Sequence, residues 1–214
     1  VIVVEKKTQK LYVFKKNAGN DGIVKVFEAP CSTGKRPGAK QEPGDGKTPD
    51  GIFFIPKYYN SSELTPIYGP MAFHLDFPNV IDRRSGRNGT NIWIHGINKP
   101  MQPYQSNGCI ALRNSDIELL AGYIFLNKTP VIIEESIRWV PQDKEHPEKN
   151  ELERMIYLWD KAINEGDLKT LSSLYMPDSR VKIDGKSVIQ KSTHLKSVLH
   201  HVPIQPRDIS ILKK

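Results

Sequence analysis

Apolar and polar positions alternate along most of the first 136 residues, the period-2 signature of half-buried strands. VIVVEKK and KLYVFKK predict a hairpin, and IVKVFEA continues the alternation. A turn-rich stretch, STGKRPGAKQEPGDGKTPDG, then precedes IFFIPKYY, MAFHLDF and NIWIHGI, each of which reads as a strand. After CIAL the period changes. Ser115 and Glu118 form an S-x-x-E capping pattern ahead of a helix that carries Ile117, Leu119, Leu120 and Ile124 and ends near Asn127. TPVIIEE returns to strand. The expected fold is mostly β, a sandwich or barrel with one or two helices, over residues 1–136.

Residues 137–150 are polar, contain Pro141 and Pro147, and read as a linker. Beyond them, Leu152, Met155, Ile156, Trp159 and Ile163 recur at helical spacing. Gly166 fits a C-terminal cap and Asp167 an N-cap for a second helix with Leu168, Leu171, Leu174 and Tyr175, which Pro177 stops. SRVKIDGKSVI predicts a hairpin turning at Asp184-Gly185, THLKSVLHH a helix and DISILKK a strand. Residues 151–214 thus form a smaller α+β domain.

Composition narrows the function classes. With 38% hydrophobic residues in 214, the chain can bury one ordinary core or two small ones. The net charge of +7 is spread, 19 basic against 15 acidic side chains up to residue 146 and 12 against 9 after it. Nucleic-acid binding is not expected, because no clustered basic face or known module appears. A mild positive field suits a polyanionic partner such as a bacterial cell wall. No apolar run is long enough to span a membrane and the chain opens on a strand rather than a signal sequence. Two cysteines, Cys31 and Cys109, make no disulfide scaffold, and no histidine pair has metal-ligand spacing; His200-His201 read as solvated surface.

The candidate chemistry lies in NIWIHG and SNGCIALR. On a strand, Trp93 and His95 share one face while Ile92 and Ile94 take the other. Cys109 and Ala111 likewise share a face, with Ile110 and Leu112 as anchors behind them. A free thiol of pKa ~8.5 is a weak nucleophile at neutral pH, and an adjacent imidazole can take its proton and later deliver it to a leaving amine. The Gly96 carbonyl is a partner for the second ring nitrogen. The Asn107-Gly108 turn would aim the N–H groups of Gly108 and Cys109 at a developing oxyanion. A histidine followed by a cysteine is, by itself, more often the mark of a structural pair.

The full string is more specific. IHG, a short loop, S-x-G-C, an apolar residue and a helix resemble the signature of the L,D-transpeptidase (YkuD) catalytic domain, and CSTGK with GDGKTPDGIFFI resembles that family's STGK and TPxGxF segments. MAFHLDF stands where the family often has a substrate-side His or Tyr. The resemblance implies a cysteine enzyme of the periplasm or cell envelope that acts on peptidoglycan stem peptides without metal or organic cofactor. Carried over by position, Cys109 is the nucleophile, His95 the base and Gly96 the orienting carbonyl, with Ser106, Asn107 and Gly108 around them. His74 is a candidate for lining the cleft or for a hydrogen-bonded strand position, and Arg113 a candidate substitute for a basic residue that Ala111 lacks. Asn107 stands where many members have His.

The helix pair ELERMIYLWDKAINEGDLKTLSSLY resembles the start of an NTF2-like domain, and the combination resembles the cell-shape-determining L,D-carboxypeptidases of helical bacteria. Such a domain normally needs more residues than remain, so a truncated far end is expected. The resemblance leaves room for a small ligand or protein in that domain, and for a homodimer. Hydrolysis of the acyl-enzyme is favoured over transpeptidation. A non-catalytic wall-binding protein and a sortase are the other readings. Tyr58, Tyr59 and Tyr104 stack on substrate or simply pack, Arg83, Arg84 and Arg87 read as a solvated turn with binding of substrate carboxylates as the alternative, and Cys31 as a structural or free thiol.

Overall fold

A computed structural model describes residues 1–17, 19, 22–139, 147–174, 180–183 and 186–189. The chain divides into two compact units, Val1–Gln142 and Asp143–Lys213, with Lys214 grouped with the first.

The first unit is a sandwich of two sheets. Strands β1 (Ile2–Glu5), β2 (Lys10–Lys16) and β3 (Ile23–Pro30) open the chain, and β4 (Gly51–Phe53) follows the turn-rich segment. Next come β5 (Lys57–Asn60), β6 (Met71–His74), the short helix α1 (Val80–Arg84), β7 (Trp93–His95) and β8 (Ile110–Ala111). Helix α2 (Asn114–Ala121) and strand β9 (Val131–Glu134) complete the unit. One sheet has the order β3-β2-β1-β9-β4 and the other β5-β6-β7-β8. The predicted hairpin is there, with Ile2 opposite Val13 and Glu5 opposite Lys10. β1 is central and pairs β9 in parallel, which is why IVVE is buried along its whole length rather than alternating.

A single apolar core lies between the sheets. Ile2, Val4, Leu11, Phe53, Ile55, Leu75, Ile94, Ile110, Leu112, Ile117 and Ile133 are all fully buried in it. Ile92 and Ile94 therefore anchor the strand that ends in His95, and Ile110 and Leu112 anchor the strand that follows Cys109. The two sheets also meet at main-chain level, since Ser32 and Ala111 exchange N–H···O bonds of 2.8 Å.

Three local expectations change. IFFIPKYY is two strands in different sheets, because Pro56 supplies no ladder donor and the chain crosses over there. Arg83 and Arg84 belong to α1, whose N-cap Asn79 accepts from Ile81 and Asp82 N–H in a capping box with Asp82. Helix α2 starts at Asn114 with Arg113 as N-cap and no capping box at Ser115–Glu118, because the chain enters it directly from β8. It stops at Ala121, and the segment to Asn127 folds back as turns, with Asn127 N–H bonded to Ile55 O at 2.9 Å.

In the second unit, α3 (Pro147–Glu165) begins inside the segment read as linker; proline suits a first turn, where no N–H is needed. Leu152, Ile156, Trp159 and Ile163 are half-buried, Ala162 is buried, and Met155 is exposed rather than part of the stripe. Asp167 caps α4 (Leu168–Ser173) by accepting from Lys169 and Thr170 N–H. Ala162 and Leu171 form a small core with Trp159, Ile163 and Leu168. β10 (Arg180–Ile183) and β11 (Lys186–Ile189) pair antiparallel on either side of Asp184-Gly185. Tyr175, Pro177, the predicted helix THLKSVLHH, its His200-His201 and the strand DISILKK lie outside the described residues. Among the described residues, no helix is long and apolar enough to cross a membrane.

Candidate active site

Sheet register puts the candidate residues on one face. β6 pairs β5 and β7 antiparallel, so Lys57, His74 and Trp93 form one row and Tyr59, Ala72 and His95 the next. β7 and β8 run parallel with Ile94 opposite Ile110 and His95 opposite Ala111. Continuing that register one residue back sets Cys109 against Trp93. Paired residues point to the same face, so Cys109 and Ala111 share the face of Trp93 and His95. Ala72 and Ala111 flank His95 with small side chains, which leaves room around the imidazole.

His95 is 6% exposed, and its Nδ1 lies 2.5 Å from Gly96 O. A carbonyl only accepts, so Nδ1 carries the proton and Nε2 is left as the acceptor. Gly96 has to be glycine here: a Cβ would stand 2.5 Å from Asn114 Oδ1 and 2.8 Å from Pro70. Asn114 holds the strand end by accepting from Ile97 N–H at 2.9 Å and donating to Asn98 at 2.6 Å. Tyr68 meets the imidazole edge-on at 4.9 Å and also packs on Trp93, which Tyr59 stacks against at 5.1 Å. Burial holds the His95 pKa below its ordinary value, with the Gly96 bond pulling the other way.

Cys109 is half-buried and free. Its thiol donates to Asn91 O at 3.5 Å rather than to His95. Burial raises its pKa, opposed by the Trp93 N–H and by the positive charge of Lys40. Burial therefore shifts both groups towards their neutral forms, thiol and imidazole.

The SNGC turn is held from three sides. Ser106 donates from Oγ to Cys109 O at 2.6 Å and accepts from Gly108 N–H at 3.0 Å. The Gly108 N–H is therefore engaged within the turn, whereas Cys109 N–H donates to no group among the described residues. Gly108 instead provides φ +132° and clearance, because a Cβ there would lie 2.7 Å from Lys47 O. Thr33, from the STGK segment, accepts from Ser106 N–H, and Lys35 N–H returns to Ser106 O. Gln9 ties Thr33 to the same cradle through both ends of its amide.

The remaining candidates separate. His74 lies on the site face near Trp93, its pKa lowered by burial and by Lys57. Asn107 is exposed at the tip of the turn, and Arg113 is exposed at the start of α2 with no polar contact for its side chain among the described residues. Tyr58 packs on Phe73 and Tyr104 bonds Lys7 O. Arg87 pairs with Asp82. Tyr68, Thr48 and Asn114 were not singled out from sequence; the TPIYGP and KTPDG strings were the available signals.

The family model YkuD, described as the L,D-transpeptidase catalytic domain, matches residues 1–133. Bd1075 of Bdellovibrio bacteriovorus is 30% identical over 92% of this chain and 69% of its own, with a TM-score of 0.74. The helical cell shape determining protein Pgp2 from Campylobacter jejuni is 28% identical over 92% of this chain and 68% of its own, with a TM-score of 0.66. No curated protein matches the sequence. A sandwich that sets a Gly96-oriented histidine and a turn-borne cysteine on paired strands, matched by that family model over most of its first unit, places the chain in the YkuD family of L,D-transpeptidase catalytic domains.

Proposed function

We propose that the protein is a cysteine L,D-carboxypeptidase that removes the terminal D-alanine from peptidoglycan stem tetrapeptides in the periplasm and contributes to cell shape. The carrying observation is that His95 offers an unprotonated Nε2 on the same face as the Cys109 thiol, one paired strand away. In this reading Nε2 takes the thiol proton as Sγ attacks the carbonyl between the third residue and D-alanine. The oxyanion is met by Cys109 N–H. Collapse breaks the C–N bond, the imidazolium gives its proton to the leaving amine, and a thioester remains. Water, deprotonated by His95, then releases the tripeptide and restores the thiol. His74 and Lys57 flank the face as candidate substrate contacts.

Support for the cell-shape part comes from the match to Pgp2, which covers 92% of the chain and so reaches past the catalytic unit. The domain expected over residues 151–214 is read as NTF2-like, joined to the catalytic residues 1–136. Incubating the protein with disaccharide tetrapeptide and following products by mass tests the proposal. Tripeptide and free D-alanine are expected. Dimeric muropeptides would replace it with the transpeptidase that the family description names, in which an amine resolves the same thioester.

A further inference from the structure

We infer that Thr48 is a positioning residue that aims the Cys109 amide at the reacting carbonyl, a role that deepens the proposed cysteine chemistry and rests on it. Thr48 is 1% exposed and lies in the KTPDG segment, far from the cysteine in sequence. Its Oγ1 accepts from Gly34 N–H at 2.8 Å and donates to Gly108 O at 2.9 Å. Both hydroxyl roles are thereby assigned, since an N–H can only donate and a carbonyl only accept.

The consequence follows from peptide geometry. The Gly108–Cys109 bond is trans, so its C=O and N–H point in opposite directions. Fastening Gly108 O to Thr48 on the buried side turns the Cys109 N–H to the other side. That N–H has no acceptor among the described residues, whereas Ser106 Oγ takes the Gly108 N–H. One hydroxyl thus sets the direction of the amide available to a tetrahedral intermediate.

Thr48 is itself held firmly. Buried Lys6 pairs with Asp50 at 2.6 Å, two residues on, and reaches Thr48 O at 3.5 Å. At the other end of the loop, buried Lys40 pairs with Asp45 at 2.7 Å, and Asp45 accepts from Lys47 N–H. Gly34 has no space for a Cβ, which would meet Gly46 O at 2.5 Å, so the STGK and KTPDG segments close onto each other with Thr48 between them and the turn.

The test compares two reagents at the same thiol. p-Nitrophenyl acetate acylates Cys109 through a tetrahedral oxyanion, whereas iodoacetamide alkylates it without one, and Cys109→Ala provides the background for each. Thr48→Val keeps the shape and removes the hydroxyl; Thr48→Ser keeps the hydroxyl. Acylation by the ester is expected to fall about 10- to 100-fold in Thr48→Val, with alkylation within about twofold of the parent and Thr48→Ser close to it, the size expected for a misaimed oxyanion donor. Unchanged acylation in Thr48→Val, a parallel fall in both reactions, or a Thr48→Ser as slow as Thr48→Val overturns the inference. Because neither reagent is a muropeptide, a parent protein that releases no D-alanine defeats the carboxypeptidase reading while the ratio still reports on Thr48.

Discussion

Cys31 and Cys109 lie on opposite sides of one main-chain bridge, Ser32 with Ala111, yet their surroundings make them different reagents. Cys31 is 2% exposed among apolar neighbours, and burial alone pushes its thiol up to about 12. Cys109 is also raised by burial, but a backbone N–H and a lysine charge oppose the shift, and its thiol has a carbonyl partner. A buried thiol is inert unless something nearby is ready to receive its proton and stabilise its charge. Only the face that carries His95 supplies both.

The largest effect should come from exchanging the two. Cys109→Ala is expected to lower D-alanine release by about 10³-fold or more, the scale on which a nucleophile is missed, while Cys31→Ala stays within about twofold; comparable losses in both would erase the distinction. Next, His95→Gln should cost about 10²- to 10⁴-fold in the rate of thioester formation, as for a lost general base. In the parent, the base must be neutral, and its lowered pKa keeps it so below the ordinary ~6.5. A pH–rate profile should therefore hold its activity below pH ~6.5 before the acid limb falls; a limb above that value contradicts the burial argument.

Alkylation sharpens the contrast further. Mass mapping after limited iodoacetamide treatment of the folded protein should find Cys109 modified and Cys31 untouched. The Cys109 rate should climb with pH to beyond the midpoint of a free cysteine, because its thiol is raised and not lowered. A rate already level at neutral pH would instead show a resting thiolate and overturn the burial argument. The smallest effect concerns stability. A thiol that ionises near 8.5 when unfolded and near 12 when folded contributes stability that is intact below the first value and lost as pH rises towards the second. The thermal midpoint should decline over that window, and Cys31→Ala should flatten the decline.

Much of this site was legible before folding was considered. Alternation in NIWIH and CIAL assigned the faces, because side chains on a strand alternate and Ile94 and Ile110 had to go inward. The His-Gly pair and the S-x-G-C turn marked the chemistry. Less legible were features that depend on partners remote in sequence. Gly108 N–H looked free until Ser106 Oγ was seen to take it, and the capping pattern at Ser115 was overridden by a chain that enters α2 straight from β8. IFFIPKYY read as one strand because periodicity does not report which sheet a segment joins.

The amino-acid sequence by itself determined the family, the order of the motifs, the inward anchors and the identity of the histidine and cysteine. Tertiary structure alone decided that the thiol rests on Asn91, that burial shifts both partners towards their neutral forms, and that the hydroxyl of Thr48 turns the Cys109 amide outward. Local patterns are set by the period of a strand and the conformations of turn residues. Protonation and donor direction are set by burial and by hydrogen bonds between segments that meet only when the two sheets close.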